Sequence, residues 1–180
     1  ILADKLPETV NLHFSNSSAI RYAQLFEFKT NSIHCNRGTS GIDGCTSTAM
    51  GFAMKAKEKT VLVTGDVSFF YDINGLWNNY IPPYTRIIVF NNGGGDIFKI
   101  IPGPSSTNAL EEFILTKHPK NAEYLAKHFG FGYTKLDDED TLSRVLDNFF
   151  KHDVKAKILE VDTSAIENSE VLKQYFEFLK

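Results

Sequence analysis

Two short apolar runs in this chain are each followed at once by polar residues that could bind a metal ion. Asp66 comes just after the β-branched run 60–64, and Asn92 comes just after the run 86–90. Such runs are typical of strands in a parallel sheet, whose carboxyl ends meet at one edge, so the two side chains are predicted to lie together. Carboxylate and amide oxygens suit Mg²⁺, which keeps phosphate oxygens among its ligands.

The residues around both segments also suit a diphosphate. The glycines at 93–95 let the backbone approach an anion closely, and a helix predicted to begin near Ser68 offers free N–H groups to phosphate. Alternatively, Asp66 only caps that helix and Asn92 only begins a turn, since both uses are common. The occurrence of both segments in one chain favours the metal and diphosphate site.

A second group of residues could bind a carboxylate ligand. Arg37 lies in the glycine-rich loop 36–44, and an arginine side chain can bind a carboxylate through two parallel hydrogen bonds. Arg21 is four residues after Ser17, so both share one face of a predicted helix and can reach one anionic ligand. The alternative for Arg21 is a surface side chain with a solvated head.

Composition limits the remaining function classes. The chain has 180 residues, 42% of them hydrophobic, with a net charge of −3, which predicts a single domain over 1–180 and argues against nucleic-acid binding. Two cysteines without a CxxC spacing, and no long apolar stretch, predict a cytoplasmic protein without a membrane span. The chain does not begin with Met, so we expect it to be part of a longer protein.

Strand and helix patterns alternate along the chain. Strands are predicted at 10–14, 32–35, 60–64, 86–90 and 157–161, and helices at 17–26 (with a serine cap), 46–57, 68–79, 121–128, 140–150 and 165–179. This alternation predicts an α/β fold, a three-layer α/β/α doubly wound parallel sheet.

No Gly-x-Gly-x-x-Gly follows a strand, which argues against a dinucleotide-binding domain. The five histidines show no metal-ligand spacing, so packing or surface roles are predicted for them.

The two polar segments resemble the motif of thiamine-diphosphate enzymes, Gly-Asp-Gly followed by paired asparagines. Val67 stands where the last glycine is usual, and this fits one branch better, the SEPHCHC synthases of menaquinone biosynthesis. Their strings Asn-Arg-Gly-x-Ser-Gly-Ile-Asp-Gly, Gly-Asp-Leu-Ser, Tyr-Asp-Leu-Asn and Asn-Asn-x-Gly-Gly-x-Ile-Phe are similar to residues 36–44, 65–68, 71–74 and 91–98. The resemblance implies the thiamine-diphosphate-binding fold and the C-terminal, diphosphate-binding domain of a larger multidomain enzyme.

The resemblance also implies a role for each matching position. The positions implied to bind thiamine diphosphate are Ser40, Gly41, Ile42, Gly65, Asp66, Val67, Asn92, Gly94, Asp96 and Ile97. Within this set, the side chains of Asp66 and Asn92 and the Gly94 carbonyl would hold Mg²⁺, or Mn²⁺ in its place. Ile42 would be the aliphatic wedge that bends the cofactor, and the Ser40 carbonyl would accept a hydrogen bond from its aminopyrimidine. The positions implied to bind substrate are Ser17, Arg21 and Arg37 for carboxylates, with Phe98 and Ile101 in an apolar pocket.

The implied activity is a transferase reaction. Such an enzyme decarboxylates 2-oxoglutarate and adds the remaining unit to isochorismate. An activating glutamate would come from the pyrimidine-binding domain of a neighbouring subunit, in a homodimer or homotetramer, so no catalytic residue is expected in this chain and the fragment alone is expected to be inactive. The alternatives are another thiamine-diphosphate carboligase or decarboxylase, such as an acetolactate-synthase-like enzyme, and a non-catalytic interaction domain of the same fold.

Overall fold

The computed structural model describes residues 1–30 and 32–179, and six strands within them form one parallel sheet. The strands are β1 (Val10–Phe14), β2 (Ser32–Cys35), β3 (Lys59–Gly65), β4 (Arg86–Asn91), β5 (Gly132–Leu136) and β6 (Lys157–Asp162). Their spatial order is β2-β1-β3-β4-β6-β5, and every neighbouring pair is parallel. The chain therefore builds the sheet outward in both directions from β1 and β3, as predicted for a doubly wound sheet.

Helices cover both faces of the sheet. They are α1 (Leu2–Lys5), α2 (Ser18–Ala23), α3 (Cys45–Ala53), α4 (Asp66–Tyr71), α5 (Glu123–His128), α6 (Leu142–Phe149) and α7 (Asn168–Phe178), with shorter turns of 3₁₀ helix at Ile73–Leu76, Asp96–Lys99, Pro104–Ser106 and Glu139–Thr141 and of π helix at Leu110–Ile114. None of the helices in the described part of the chain is long and apolar enough to cross a membrane.

Two apolar cores hold the three layers together. On one face, Leu12, Val61 and Ile88 pack with α6. On the other face, Leu62 and Ile87 pack with α3, α4 and α5. Because successive residues of a strand point to opposite faces, β3 and β4 are apolar at every central position. The three-layer α/β/α arrangement predicted from the sequence is confirmed.

The observed helices differ in their bounds from the predicted ones, and two of the differences concern residues near the cavity. The predicted serine cap is wrong, since Ser17 makes no side-chain capping bond and has a φ of 71°. The helix predicted at 68–79 begins earlier, at Asp66, and ends at Tyr71. Asp72, the next residue, has a non-helical φ of −123°, and its carboxylate accepts hydrogen bonds from the backbone N–H of Ser47 at 2.7 Å and from its hydroxyl at 2.5 Å.

A fully buried arginine closes the amino end of the sheet. Arg86, the first residue of β4, is 0% exposed. Its guanidinium donates hydrogen bonds to four backbone carbonyls, those of Phe149 (2.6 Å), Pro83 (2.8 Å), Thr85 (2.9 Å) and Lys151 (2.7 Å). A buried charge is tolerated only when its donors are satisfied, and these bonds meet that condition.

We expect Arg86→Met to lower the free energy of unfolding by about 3 kcal/mol or more, because it leaves four carbonyls without their shared donor. Urea unfolding of both proteins measures the change. The matched control is Arg144→Met, since Arg144 is an exposed arginine on α6. Equal stability of the two variants would contradict the structural role of Arg86.

A histidine pair lies on the side of the sheet that faces α3. His13 of β1 is 5% exposed and stacks on His34 of β2 with ring centroids 4.7 Å apart, while Phe52 of α3 packs against both rings. Burial, together with the charge of His34, lowers the pKa of His13 from 6.5 to about 4. His13 is therefore neutral in the folded protein at neutral pH.

This shift predicts a loss of stability in acid. The His13 pKa is lower in the folded than in the unfolded chain, so the contribution of His13 is fully present above pH 6.5 and is lost as the pH falls towards about 4. His13→Gln should weaken this pH dependence by roughly 1 kcal/mol or more across that range. Urea unfolding between pH 7 and 4 measures it, with exposed His152→Gln as control. Parallel curves for all three proteins would refute the assignment.

Candidate functional site

A cavity of about 1020 Å³ lies at the carboxyl ends of β1 to β4. It includes the point between β1 and β3 at which the strand order reverses, where open α/β sheets bind their ligands. Every site residue predicted from the sequence lines this one cavity: Ser17, Arg21, Arg37, Ser40, Gly41, Ile42, Gly65, Asp66, Val67, Asn92, Gly94, Asp96, Ile97, Phe98 and Ile101. The fold thus brings together residues that are far apart in sequence.

Asp66 occupies the junction of β3 and α4 and is 2% exposed. Its Oδ1 accepts a hydrogen bond from the Val67 N–H at 2.7 Å, and its Oδ2 accepts from the N–H groups of Gly93 at 2.8 Å and Gly94 at 3.0 Å. Burial raises the pKa of the Asp66 carboxyl, and these hydrogen bonds and the nearby His118 limit the rise. A buried carboxylate of this kind is well suited to bind a cation.

The two asparagines after β4 have different surroundings. The amide nitrogen of Asn91 donates to the buried carboxylate of Glu160 at 2.7 Å, and its oxygen accepts from the Gly93 N–H at 3.0 Å. Asn91 is therefore held inside the protein and shapes the following loop. The oxygen of Asn92 accepts only a long hydrogen bond, 3.2 Å, from the Gly94 N–H, and Asn92 lines the cavity.

The glycine loop after β4 fits tightly against a segment that passes behind it. A Cβ on Gly94 would lie 2.6 Å from the carbonyl oxygen of Leu115, a distance that no side chain tolerates. The Gly95 N–H donates to the same carbonyl at 2.7 Å. Gly93 has a φ of +78°, which also favours glycine. The loop therefore needs glycine both for its turn and for this close approach.

The loop at 36–44 is fixed by side chains from other elements. The Ser68 hydroxyl donates to the Ile42 carbonyl at 3.0 Å, and the Asn16 amide donates to the Gly41 carbonyl at 3.1 Å. Ser40 has a φ of 58°, a left-handed conformation that is uncommon outside glycine. These contacts hold Ile42 at the cavity wall between β1 and α4.

Two arginines give one wall of the cavity positive charge. Arg21 on α2 and Arg37 after β2 are both exposed at the cavity, and neither forms an ion pair with a described residue. Arg37 donates to the Asn16 side-chain oxygen at 2.7 Å. In contrast, Asp96, the other acidic residue near the glycine loop, is neutralised by Lys99 at 3.0 Å. The wall therefore favours an anionic ligand.

The oxygen atoms around Asp66 fit a divalent cation. No three His, Cys, Asp or Glu side chains come together as a metal site within 1–30 and 32–179. Asp66 is therefore accompanied by neutral oxygens, the side chain of Asn92 and nearby carbonyls. A Cβ on Gly65, the residue before Asp66, would meet nothing within 4 Å, so the cavity leaves open space at this position. This set fits a hard cation that takes further oxygen ligands from a phosphate.

Three residues of the site were not identified from the sequence. His118 lies 3.4 Å from the Asp66 carboxylate, whereas its position in the sequence predicted only packing or a surface role. Asn16 links Arg37 to the loop at 36–44. Glu160, which lies within the apolar run of β6, was not identified from the sequence either. An acidic residue inside such a run is nevertheless a signal of a buried polar contact.

Two curated proteins of similar sequence are both named 2-succinyl-5-enolpyruvyl-6-hydroxy-3-cyclohexene-1-carboxylate synthase. The protein from Christiangramia forsetii is 48% identical over 177 residues, which are 98% of this chain and 31% of the relative. The protein from Flavobacterium psychrophilum is 50% identical over 180 residues, which are 99% of this chain and 32% of the relative. The chain thus spans about a third of the length of these relatives.

Solved structures show the same fold. The crystal structure of benzoylformate decarboxylase from Polynucleobacter necessarius superimposes with a TM-score of 0.68 at 18% sequence identity, over 89% of this chain and 31% of that one. At this identity the likeness supports the fold alone.

The family model described as "Thiamine pyrophosphate enzyme, C-terminal TPP binding domain" matches residues 17–159. The chain therefore belongs to the family of C-terminal thiamine-pyrophosphate-binding domains of thiamine pyrophosphate enzymes.

Proposed function

We propose that this chain is the diphosphate-binding part of an SEPHCHC synthase, a transferase of menaquinone biosynthesis that decarboxylates 2-oxoglutarate and adds the remaining unit to isochorismate. The observation that carries the proposal is the placement of Arg21 and Arg37, both without an ion-pair partner among the described residues, in the cavity that also contains Asp66 and Asn92. Both proposed substrates carry carboxylates, so two unpaired cations beside the proposed cofactor site are physically reasonable. The names of the similar proteins agree with this reading.

Asp66 and its neighbours hold the cofactor in this proposal. The side chains of Asp66 and Asn92 and the Gly94 carbonyl bind Mg²⁺, which Mn²⁺ can replace, against the diphosphate. Ile42 and Ile97 pack against the organic part of the cofactor, and the Ser40 carbonyl accepts a hydrogen bond from its aminopyrimidine. When bound, thiamine diphosphate supplies the carbon nucleophile and the electron sink that the loss of carbon dioxide from a 2-keto acid requires.

The remaining cavity residues bind and orient the substrates. Ser17 directly precedes α2 and Arg21 lies on it, and both line the cavity that Arg37 reaches from the loop after β2. Their hydrogen bonds and charges neutralise the substrate carboxylates and fix the keto carbon in place. Phe98 and Ile101 form an apolar wall that excludes water from the reacting atoms.

The proposed site needs groups from outside this chain. The only carboxylates that line the described part of the cavity are Asp43, Asp66 and Asp96, and none of them is a glutamate. We therefore propose that the activating glutamate comes from a pyrimidine-binding domain of a neighbouring subunit, as in a homodimer or homotetramer. The isolated chain should then show no turnover with both substrates, thiamine diphosphate and Mg²⁺.

The metal and diphosphate assignment predicts the effect of Asp66→Ala. In the complete protein this change should weaken Mg²⁺-dependent binding of thiamine diphosphate by about 100-fold, because it removes the one carboxylate of the proposed metal site. Calorimetric titration with and without Mg²⁺ measures the loss. The matched control is Asp137→Ala, since Asp137 is exposed and does not line the cavity. Unchanged binding in Asp66→Ala would refute the metal site.

The substrate assignment predicts a separate effect of Arg37→Ala. We expect KM for 2-oxoglutarate to rise by about tenfold or more, since a charge-assisted pair is lost, while thiamine-diphosphate affinity changes by less than about threefold. Steady-state kinetics and cofactor titration of the complete protein measure both values, with exposed Arg144→Ala as control.

The same kinetics distinguish the proposed donor from its alternative. A wild-type protein that prefers pyruvate to 2-oxoglutarate would favour an acetolactate-synthase-like enzyme, and a protein that binds no cofactor would favour an interaction domain. Arg37→Ala could also lower cofactor affinity and 2-oxoglutarate use to the same extent. That result would mean that Arg37 stabilises the loop at 36–44 through its hydrogen bond to Asn16 and does not bind the substrate.

A further inference from the structure

His118 lies behind the Asp66 carboxylate, on the segment that follows the π-helical turn Leu110–Ile114. Its side chain is 8% exposed, and its Nε2 is 3.4 Å from Asp66 Oδ2. The ring packs edge-on against Phe70 of α4, with centroids 5.3 Å apart. His118 does not line the cavity, so it can act on a ligand there only through Asp66.

The hydrogen bond on the other side of the ring identifies the tautomer. The backbone N–H of Lys120 donates to Nδ1 of His118 at 3.2 Å. Since Nδ1 accepts a hydrogen bond, the ring proton is on Nε2. This N–H is buried and has no hydrogen-bond partner of good geometry within the described residues, and Asp66 Oδ2 is the carboxylate oxygen beside it.

The position of His118 is fixed by the backbone of the glycine loop. The His118 N–H donates to the Gly93 carbonyl at 3.0 Å, while Gly95 donates to the Leu115 carbonyl at 2.7 Å. The segment 115–118 therefore pairs with the same loop whose N–H groups bind Asp66 Oδ2. As a result, His118, the glycine loop and the carboxylate are positioned as one unit.

We propose that His118 is a positioning residue of the metal site, whose Nε2–H orients the Asp66 carboxylate towards the cation. Oδ2 accepts hydrogen bonds from the Gly93 and Gly94 N–H groups and lies 3.4 Å from His118 Nε2, whereas Oδ1 accepts only the Val67 N–H and is the oxygen available to the metal. Groups that orient metal ligands in this way contribute to metal affinity although they do not touch the metal. This inference rests on the proposed function of the cavity, because it needs a cation at Asp66.

The experiment compares two replacements of His118 in the complete protein. Methionine fills similar space without a donor, whereas the amide of glutamine can place an N–H near the position of Nε2. Binding of Mn²⁺ in the presence of saturating thiamine diphosphate is followed by the electron paramagnetic resonance signal of the free ion. The matched control is His128→Met, because His128 also packs edge-on against a phenylalanine, Phe129, but is exposed and outside the cavity.

We expect His118→Met to weaken Mn²⁺ binding by about tenfold or more, and His118→Gln to stay within about threefold of the wild type. His128→Met should bind like the wild type. If His118→Met does not fold, as judged by metal-free thermal unfolding, His118→Asn takes its place, because asparagine keeps polar atoms near Nδ1 and cannot reach the position of Nε2.

Two results overturn the inference without touching the proposed function. One is equal Mn²⁺ affinity in the wild type and the variant that lacks the donor. The other is an equal loss of Mn²⁺ affinity in His118→Gln and in the variant that lacks the donor. That result would mean that the ring only packs against Phe70. A wild-type protein that binds no Mn²⁺ in the presence of thiamine diphosphate would instead overturn the proposed function, and the inference with it.

Discussion

The buried carboxylate of Asp66 is the constraint on which the rest of the site depends. A charge that is 2% exposed must be satisfied by donors, and the N–H groups of Val67, Gly93 and Gly94 supply them. Two of these donors come from the loop after β4, so one side chain joins the carboxyl ends of two adjacent strands. The conformation of the glycine loop follows from this contact.

The two edges of the sheet handle buried charge in opposite ways. At the amino edge, the Arg86 guanidinium is surrounded by four backbone carbonyls and is 0% exposed. At the carboxyl edge, Asp66 is held by backbone N–H groups but adjoins the open space next to Gly65. Both charges are satisfied by backbone atoms, and only one of them is accessible to a ligand. The amino ends of the strands therefore contribute to stability, and their carboxyl ends form the site that a ligand can reach.

The sequence predicts those parts of this structure that depend on local patterns. The runs at β3 and β4 are short and apolar on both faces, so their strands and the edge on which Asp66 and Asn92 meet could be inferred directly. Strand β5 was not predicted, because Gly132–Leu136 is an edge strand with a single buried residue, and its sequence has no apolar run. The contact of His118 with Asp66 depends on how distant segments pack, and no spacing in the sequence records it. The roles of the individual residues that line the cavity stay predictions.

The register between β3 and β4 links stability to ligand binding, because the insertion of a single residue would affect both. Gly65 lies opposite Phe90 in the last pair that the two strands form with each other, and Asp66 and the asparagine pair come next in the chain. Inserting one residue into β3 would reverse the facing of every side chain beyond it, exchange the apolar partners of both cores and rotate Asp66 away from the glycine loop. Selection would therefore act against changes in the length of this strand for two reasons, the loss of core packing and the loss of the Asp66 site. Changes in length should accumulate instead in the connections far from the cavity, such as the turn between β5 and α6.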